Sequence, residues 1–278
     1  MTLATRAPAS SPAVDRRAAR RGALYVAEYR LRSMWKWRRA IITDGLGNPI
    51  LYLTSIGLGV GSLVNANLGP TGIDGVPYLV FLAPALITAA AMQGVMNEIM
   101  FPTLAGFLWD KGFYAMRATP ISGGQIADGL LLAATARIVF TSVVYWLVLL
   151  AFGAVNWSSA LTLIPVAILA GVSWGAAMLA ATANVKDDSG FISLVMRIVI
   201  MPMFLFSGTF YPLSTLPIAV QWIGWISPLW HATELGRWLS YGMAMPPWQV
   251  AISLAYLIAL GVLGLILARR RFERRLTS

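Results

Sequence analysis

The chain has 278 residues, 58% of them hydrophobic and only 12% charged, whereas a soluble domain is near half apolar and a quarter charged; the deficit of charge is that of a membrane protein. With no cysteine and one histidine, a disulfide framework, a thiolate metal site, a cysteine nucleophile and a multi-histidine metal site are all excluded. A net charge of +10 would suggest nucleic acid in a soluble protein, but its placement along the chain points to membrane topology instead, and no nucleic-acid partner is expected.

Residues 1–21 are rich in Ala, Ser, Pro and Arg, and Arg16, Arg17, Arg20 and Arg21 cluster at their end. No apolar run follows, so this is not a cleavable signal peptide; a disordered cytoplasmic tail is expected. Residues 22–39 intersperse Leu24, Tyr25, Tyr29, Leu31, Met34, Trp35 and Trp37 with Arg30, Arg32, Lys36, Arg38 and Arg39. That pattern predicts an amphipathic helix lying in the membrane interface, its rings at headgroup depth and its cations against anionic lipid.

A helix rises about 1.5 Å per residue, so roughly 20 apolar residues cross the hydrocarbon core. Six stretches within 40–278 qualify, near 46–65, 77–100, 126–152, 160–183, 191–210 and 249–268. Backbone polar groups must be satisfied inside lipid, which makes these runs helices; the fold class is an all-α polytopic membrane protein. Of the 21 Lys and Arg residues, 18 fall on one side of this arrangement, only Arg237 in a loop on the other, and Arg137 and Arg197 inside spans. The basic side is cytoplasmic by the positive-inside rule, and an even number of spans then puts both termini there, in a cell (inner) membrane.

The loops are unequal. Residues 66–76 and 153–159 are short external links, and 101–125 form the main cytoplasmic loop. The segment 211–247 is long and apolar, and Pro212, Pro217, Pro228 and the pair Pro246–Pro247 forbid one continuous helix. Short broken, re-entrant helices tucked into the outer leaflet are expected there, because polar cover for a soluble domain is lacking.

Few residues carry chemistry. None of Lys36, Lys111 and Lys186 stands in a phosphate-binding G-x-x-x-x-G-K-[ST] context. Gly57, Gly59 and Gly61 alternate without the rest of a dinucleotide site and suit close helix packing. Arg137 has no acid at helical spacing, so it needs a partner on another helix or an aqueous cavity. Glu98 is expected to reach the cytoplasmic interface, Arg197 to snorkel, and Asp187–Asp188 to form a solvated turn. Glu234 and Arg237, three apart, are expected to pair.

The segments FSGTFYPLSTLP and WIGWISPLWHATELGRW resemble the signature of ABC type-2 permeases, particularly the branch containing lipo-oligosaccharide (nodulation-factor) and daunorubicin-type drug export permeases. The matching positions are Ser207, Gly208, Phe210, Pro212, Leu213, Leu216, Pro217, Trp222, Pro228, Leu229, His231 and Arg237. Ala118, Thr119 and Pro120 match a second family segment, before the third span. The resemblance implies that this chain is the non-enzymatic membrane subunit of an exporter, with 40–278 as its permease domain. Two copies, as a homodimer, form the path, and a separate cytoplasmic ABC ATPase binds ATP and Mg; this chain itself holds no cofactor.

The resemblance also makes the loop near 101–120 a coupling helix. There Trp109, Phe113, Tyr114 and Met116 offer anchors for a groove on the ATPase, and Asp110, Lys111 and Arg117 a polar rim. The low-charge faces of spans one, two and five, with Tyr52, Met92, Met201, Met203, Phe204 and Phe206, suit an amphiphilic cargo rather than an ion. Phe210, Tyr211, Pro212, Trp222, Pro228 and His231 are the expected external gate. Two other function classes stand beside this one: a membrane-embedded transferase using His231 and Glu234, and an assembly subunit without a conduit. A missing second acid, metal cluster or nucleophile counts against the first.

Overall fold

A computed structural model of the chain describes residues 12–69, 72–187 and 190–277. Residues 1–11 of the expected tail, and Asp188, lie outside the described residues. The described chain is helical, apart from one antiparallel bridge between Ile73 and Val76. A first helix, α1 (Pro12–Lys36), begins within the stretch expected as a tail and covers most of the expected interface helix. It packs on the third span, burying Val26, Ala27 and Met34 while Tyr25, Tyr29 and Trp35 stay exposed. After a break at Trp37 the chain re-enters helix as α2 (Arg38–Tyr52), which passes through a π-helical turn (Leu53–Val60) into α3 (Gly61–Leu68).

Among the described residues five helical segments are long and apolar enough to cross a membrane: Arg38–Asn67, Tyr78–Trp109, Gly123–Ala151, Trp157–Ala183 and Pro247–Thr277. The expected crossing at 191–210 is realised only as a shorter apolar helix, Phe191–Phe206, below the roughly 20 residues a crossing needs. Its pieces are α8 (Phe191–Val195), a π-helical turn and α9 (Met201–Phe206). It stops where the chain turns at Gly208, whose φ of +69° lies in the left-handed region that glycine tolerates.

The bundle is built around α4 (Tyr78–Leu104) and α7 (Ala160–Ala183), which pack on one another along much of their length. Between them α6 (Gly123–Ala151) closes one side; it starts at a capping box in which Ser122 and Gln125 satisfy each other's backbone N–H groups. The last helix, α12 (Pro247–Thr277), runs along α7. By contrast the Arg38–Asn67 segment is largely exposed. Of its three alternating glycines, Gly57 and Gly61 lie against Leu79 and Tyr78 of α4, as close packing requires, while Gly59 meets no other helix.

The Pro-rich segment 211–247 folds as expected into separate short helices, α10 (Ile218–Ile226) and α11 (Pro228–Tyr241), after a 3-10 turn at Leu213–Thr215. Pro217 and Pro228 stand at the starts of the two helices, where a missing N–H is harmless. The arginines of α12 mark one end of the bundle, called here the basic end; α10 and α11 form the far end.

Candidate functional site

At the basic end, α4 runs through a π-helical turn (Ala105–Trp109) into a tight bend at Asp110 and Lys111, with Lys111 at φ +51°, and then into α5 (Gly112–Arg117). The bend folds Phe113 back onto Phe107 and onto Phe272 of α12, with ring centroids 4.9 and 5.5 Å apart. Gly106 makes the fold possible, since a Cβ there would lie 2.4 Å from the Phe113 ring. The Arg275 guanidinium covers Phe107 at 4.1 Å. Arg117 donates to Glu273 at 3.1 Å, and the other Glu273 oxygen accepts from the Gly123 N–H at 2.7 Å, joining α5, α6 and α12.

This geometry divides the expected coupling residues. Trp109 (49% exposed) and Tyr114 (42%) face outward beside exposed Asp110 and Lys111, and Met116 and Arg117 are half-buried. Phe113 is 4% exposed: instead of an anchor for a partner it is the plug that holds the loop to the bundle. The reason is packing: Gly106 leaves room for the ring, and Phe107 and Phe272 of α12 close over it.

Midway along the bundle, Arg137 of α6 finds the partner the sequence required. It donates to Glu98 of α4 at 2.9 Å, and Arg30 of α1 lies 3.6 Å from the other Glu98 oxygen. Glu98 therefore pairs between helices rather than simply reaching the interface. Beside the pair opens a cleft of about 90 Å³ lined by Asn48, Tyr52, Gln93, Asn97, Arg137, Thr141, Tyr145 and Phe204. Of the expected path residues, Tyr52 and Phe204 border it, edge to face at 6.3 Å. Met201 is exposed and Phe206 half-buried, whereas Met92 and Met203 are buried in the core. Gln93 and Asn97 were missed; the signal was their spacing of four, which gives the second span one polar stripe.

At the far end a single side chain organises the loop. Arg237, 1% exposed, donates to the Gly208 carbonyl at 2.7 Å and to Glu234 at 2.9 Å, the expected pair, and its guanidinium sits 3.7 Å from the Phe81 ring of α4. Burial pushes the Glu234 carboxyl above the usual range, with Arg237 pulling it back. Ser207 donates to Ser227 at 2.6 Å, and Tyr78 to the Phe210 carbonyl at 3.0 Å.

The expected gate residues are scattered around this hub. Tyr211 bonds the Leu205 carbonyl at 2.8 Å, Trp222 is exposed, Pro228 is buried at the start of α11, and Phe210 packs edge-on against Phe204 at 5.2 Å. His231 is buried between the Ser253 hydroxyl at 2.9 Å and the Trp225 carbonyl at 3.0 Å. A carbonyl only accepts, so Nε2 carries the proton and the neutral Nδ1 accepts from Ser253. Burial lowers the His231 pKa, and the bond to Trp225 raises it in part. His231 and Glu234 thus have separate partners. Among the described residues no group of three or more His, Cys, Asp or Glu side chains is placed to hold a metal. Between the turn, α10 and α11 lies a recess of about 530 Å³, bordered by Pro212 and Leu213 and lined by Trp225, Trp230, Glu234, Arg237 and Tyr241.

The profile of the ABC-2 type transporter family matches residues 24–241, from within α1 to the end of α11. Among curated proteins, nodulation protein J of Sinorhizobium fredii (strain NBRC 101917 / NGR234) is 28% identical over 257 residues, 91% of this chain and 94% of that protein. Nodulation protein J of Rhizobium leguminosarum bv. viciae is 27% identical over 248 residues, 87% of this chain and 93% of that protein. The protein of the same name from Rhizobium meliloti (strain 1021) is 28% identical over 255 residues, with shares of 91% and 94%.

Proposed function

Since this chain belongs to the ABC-2 type transporter family, we propose that it is the membrane half of an ATP-driven exporter in which two copies enclose the path of an amphiphilic cargo. A lipo-oligosaccharide fits best, given the branch its motifs resemble and its likeness to proteins named nodulation protein J; a hydrophobic drug is the second cargo class of that branch. The basic end is the cytoplasmic one, both termini lie there, and Phe191–Phe206 with the turn after it makes the fifth of six crossings, its re-entrant continuation being α10 and α11.

The observation that carries the reading is that one family match runs continuously through the interface helix, the 105–117 loop and the far-end segment. Geometry supports it in two places. The loop is braced from inside by Phe113 and presents Trp109 and Tyr114 outward, as a docking element for a separate ATPase would. The first span and the Gln93–Asn97 stripe leave a polar surface at membrane depth that is costly against lipid, and a second copy with a polar path between would cover it. The differential fit of the ATPase dimer to two permease states would supply the work.

Reconstitution with the cognate ATPase tests this. Hydrolysis stimulated by lipo-oligosaccharide, with ATP-dependent transfer across the membrane, is the expected result. Cargo-independent ion currents, or no stimulation by any glycolipid or hydrophobic drug, would overturn it. The transferase reading draws no support from the site, because His231 and Glu234 are both engaged in holding helices.

A further inference from the structure

The far-end recess carries chemistry that a gate does not need. Its volume of about 530 Å³ falls within the roughly 300–1,000 Å³ of small-molecule sites. Trp225, half exposed, and Trp230 offer indole surface, while Asp74, Glu234 and Gln249 bring acceptors and a carboxamide to the same wall. Tyr241 adds a buried hydroxyl with no hydrogen-bond partner among the described residues. An unmatched buried donor is unfavourable unless a ligand satisfies it. A purely apolar cargo would leave this hydroxyl unsatisfied. An oligosaccharide would not, because its ring faces are apolar and its edges carry hydroxyls.

Charge narrows the class. Arg237 is matched by Glu234 at 2.9 Å, so Asp74 sets the sign of the recess, and an acidic sugar would meet repulsion with no second cation among the described lining residues to offset it. We propose that this recess binds the uncharged oligosaccharide portion of the cargo on the far side of the membrane. The inference deepens the export reading and rests on it.

The test uses the full chain with its ATPase in lipid nanodiscs, without ATP, and reads tryptophan fluorescence and calorimetry. Maltotetraose and chitotetraose are the neutral probes, and tetragalacturonate is the acidic one. Saturable binding of at least one neutral probe is expected, with tetragalacturonate weaker. Trp225→Ala should weaken neutral binding by about tenfold, which is one step of about 1.4 kcal/mol. Trp225→Phe should restore much of it. Gln249→Ala should weaken it less. Both positions lie at the wall of the recess, and retained ATPase association checks that the variants fold.

No saturable binding by the wild type, equal affinity in wild type and both alanine variants, or preference for the acidic probe would overturn the proposal. Failure of the export reading looks different. Wild-type ATP-driven export without oligosaccharide binding sinks only the recess, whereas oligosaccharide binding without export of any amphiphile leaves the site standing and sinks the exporter.

Discussion

The two ends of the bundle hold their loops by opposite means. At the basic end the 105–117 loop is fastened by several modest contacts: three phenylalanine rings, a cation over one of them, and the half-exposed Arg117–Glu273 pair. At the far end one buried guanidinium ties the Gly208 turn, Glu234 and Phe81 together. Spread contacts let a surface loop tolerate change and still present residues to a partner. A concentrated hub makes the far end rigid and brittle, because its loss strands a carboxylate and a carbonyl at once.

The largest expected effect therefore comes from Arg237→Met. Removing one partner of a buried pair costs about 3–5 kcal/mol, read as a lowered thermal midpoint in detergent or a loss of folded protein. Adding Glu234→Gln should recover part of the loss, since the stranded charge is then gone. Arg237→Lys should recover little, because an ammonium cannot span the carbonyl and the carboxylate as a planar fork does. If Arg237→Met unfolds no earlier than an exposed-pair variant at the basic end, the contrast between the ends is wrong.

Second comes a split within the basic-end loop. Phe113→Ala opens a cavity against Phe107 and Phe272, and buried Phe→Ala changes cost about 3–5 kcal/mol; a loop that can partly collapse should fall at the low end. Tyr114→Ala, at a surface position, should change stability by no more than about 0.5 kcal/mol yet weaken co-purification of the ATPase and uncouple hydrolysis from transport. Equal destabilisation by both variants would show that the loop is a packing element only.

That split marks the limit of what the sequence revealed. Apolar runs and proline spacing located the long helices and the broken far-end segment, since lipid and the missing proline N–H act locally. The i, i+3 pair Glu234–Arg237 was legible for the same reason. Which way Phe113 turned was not, because it depends on Gly106 and on Phe272 of α12, far away in sequence. Likewise the need of Arg137 for a partner was plain, but the choice of Glu98, with Arg30 beside it, required the packing of three helices. The expected crossing at 191–210 has the composition of a span, and only the turn at Gly208 shortens its helix.

Third, the far end should show a pH response that the basic end lacks. The buried His231 ring favours its neutral form, so its folded pKa lies below the ordinary 6.5. The unfolded chain then binds the proton more readily. The contribution of His231 is fully present above pH 6.5 and is lost as pH falls toward the depressed folded value. Thermal midpoints at pH 7.5 and pH 5 should fall further in the wild type than in His231→Gln, which should also keep most transport at neutral pH. Identical falls would remove His231 as the titrating group, and lost transport in well-folded His231→Gln would revive a chemical role for it.

The smallest effect, and the sharpest test of shared load, is at Arg117. The Arg117 and Glu273 side chains lie 3.1 Å apart, each more than a third exposed, and such surface pairs contribute about 0–1 kcal/mol. Arg117→Gln should therefore shift the thermal midpoint barely, and less still at high salt, where surface attractions are screened. Glu273 has a second task, accepting from the Gly123 N–H at the start of α6, and a carboxylate at a helix N-terminus is also favoured by the helix dipole. Glu273→Gln should thus destabilise more than Arg117→Gln, although it removes the same ion pair. Equal shifts would mean that the cap adds nothing, and a large shift from Arg117→Gln would mean that the basic end, like the far end, hangs on one arginine.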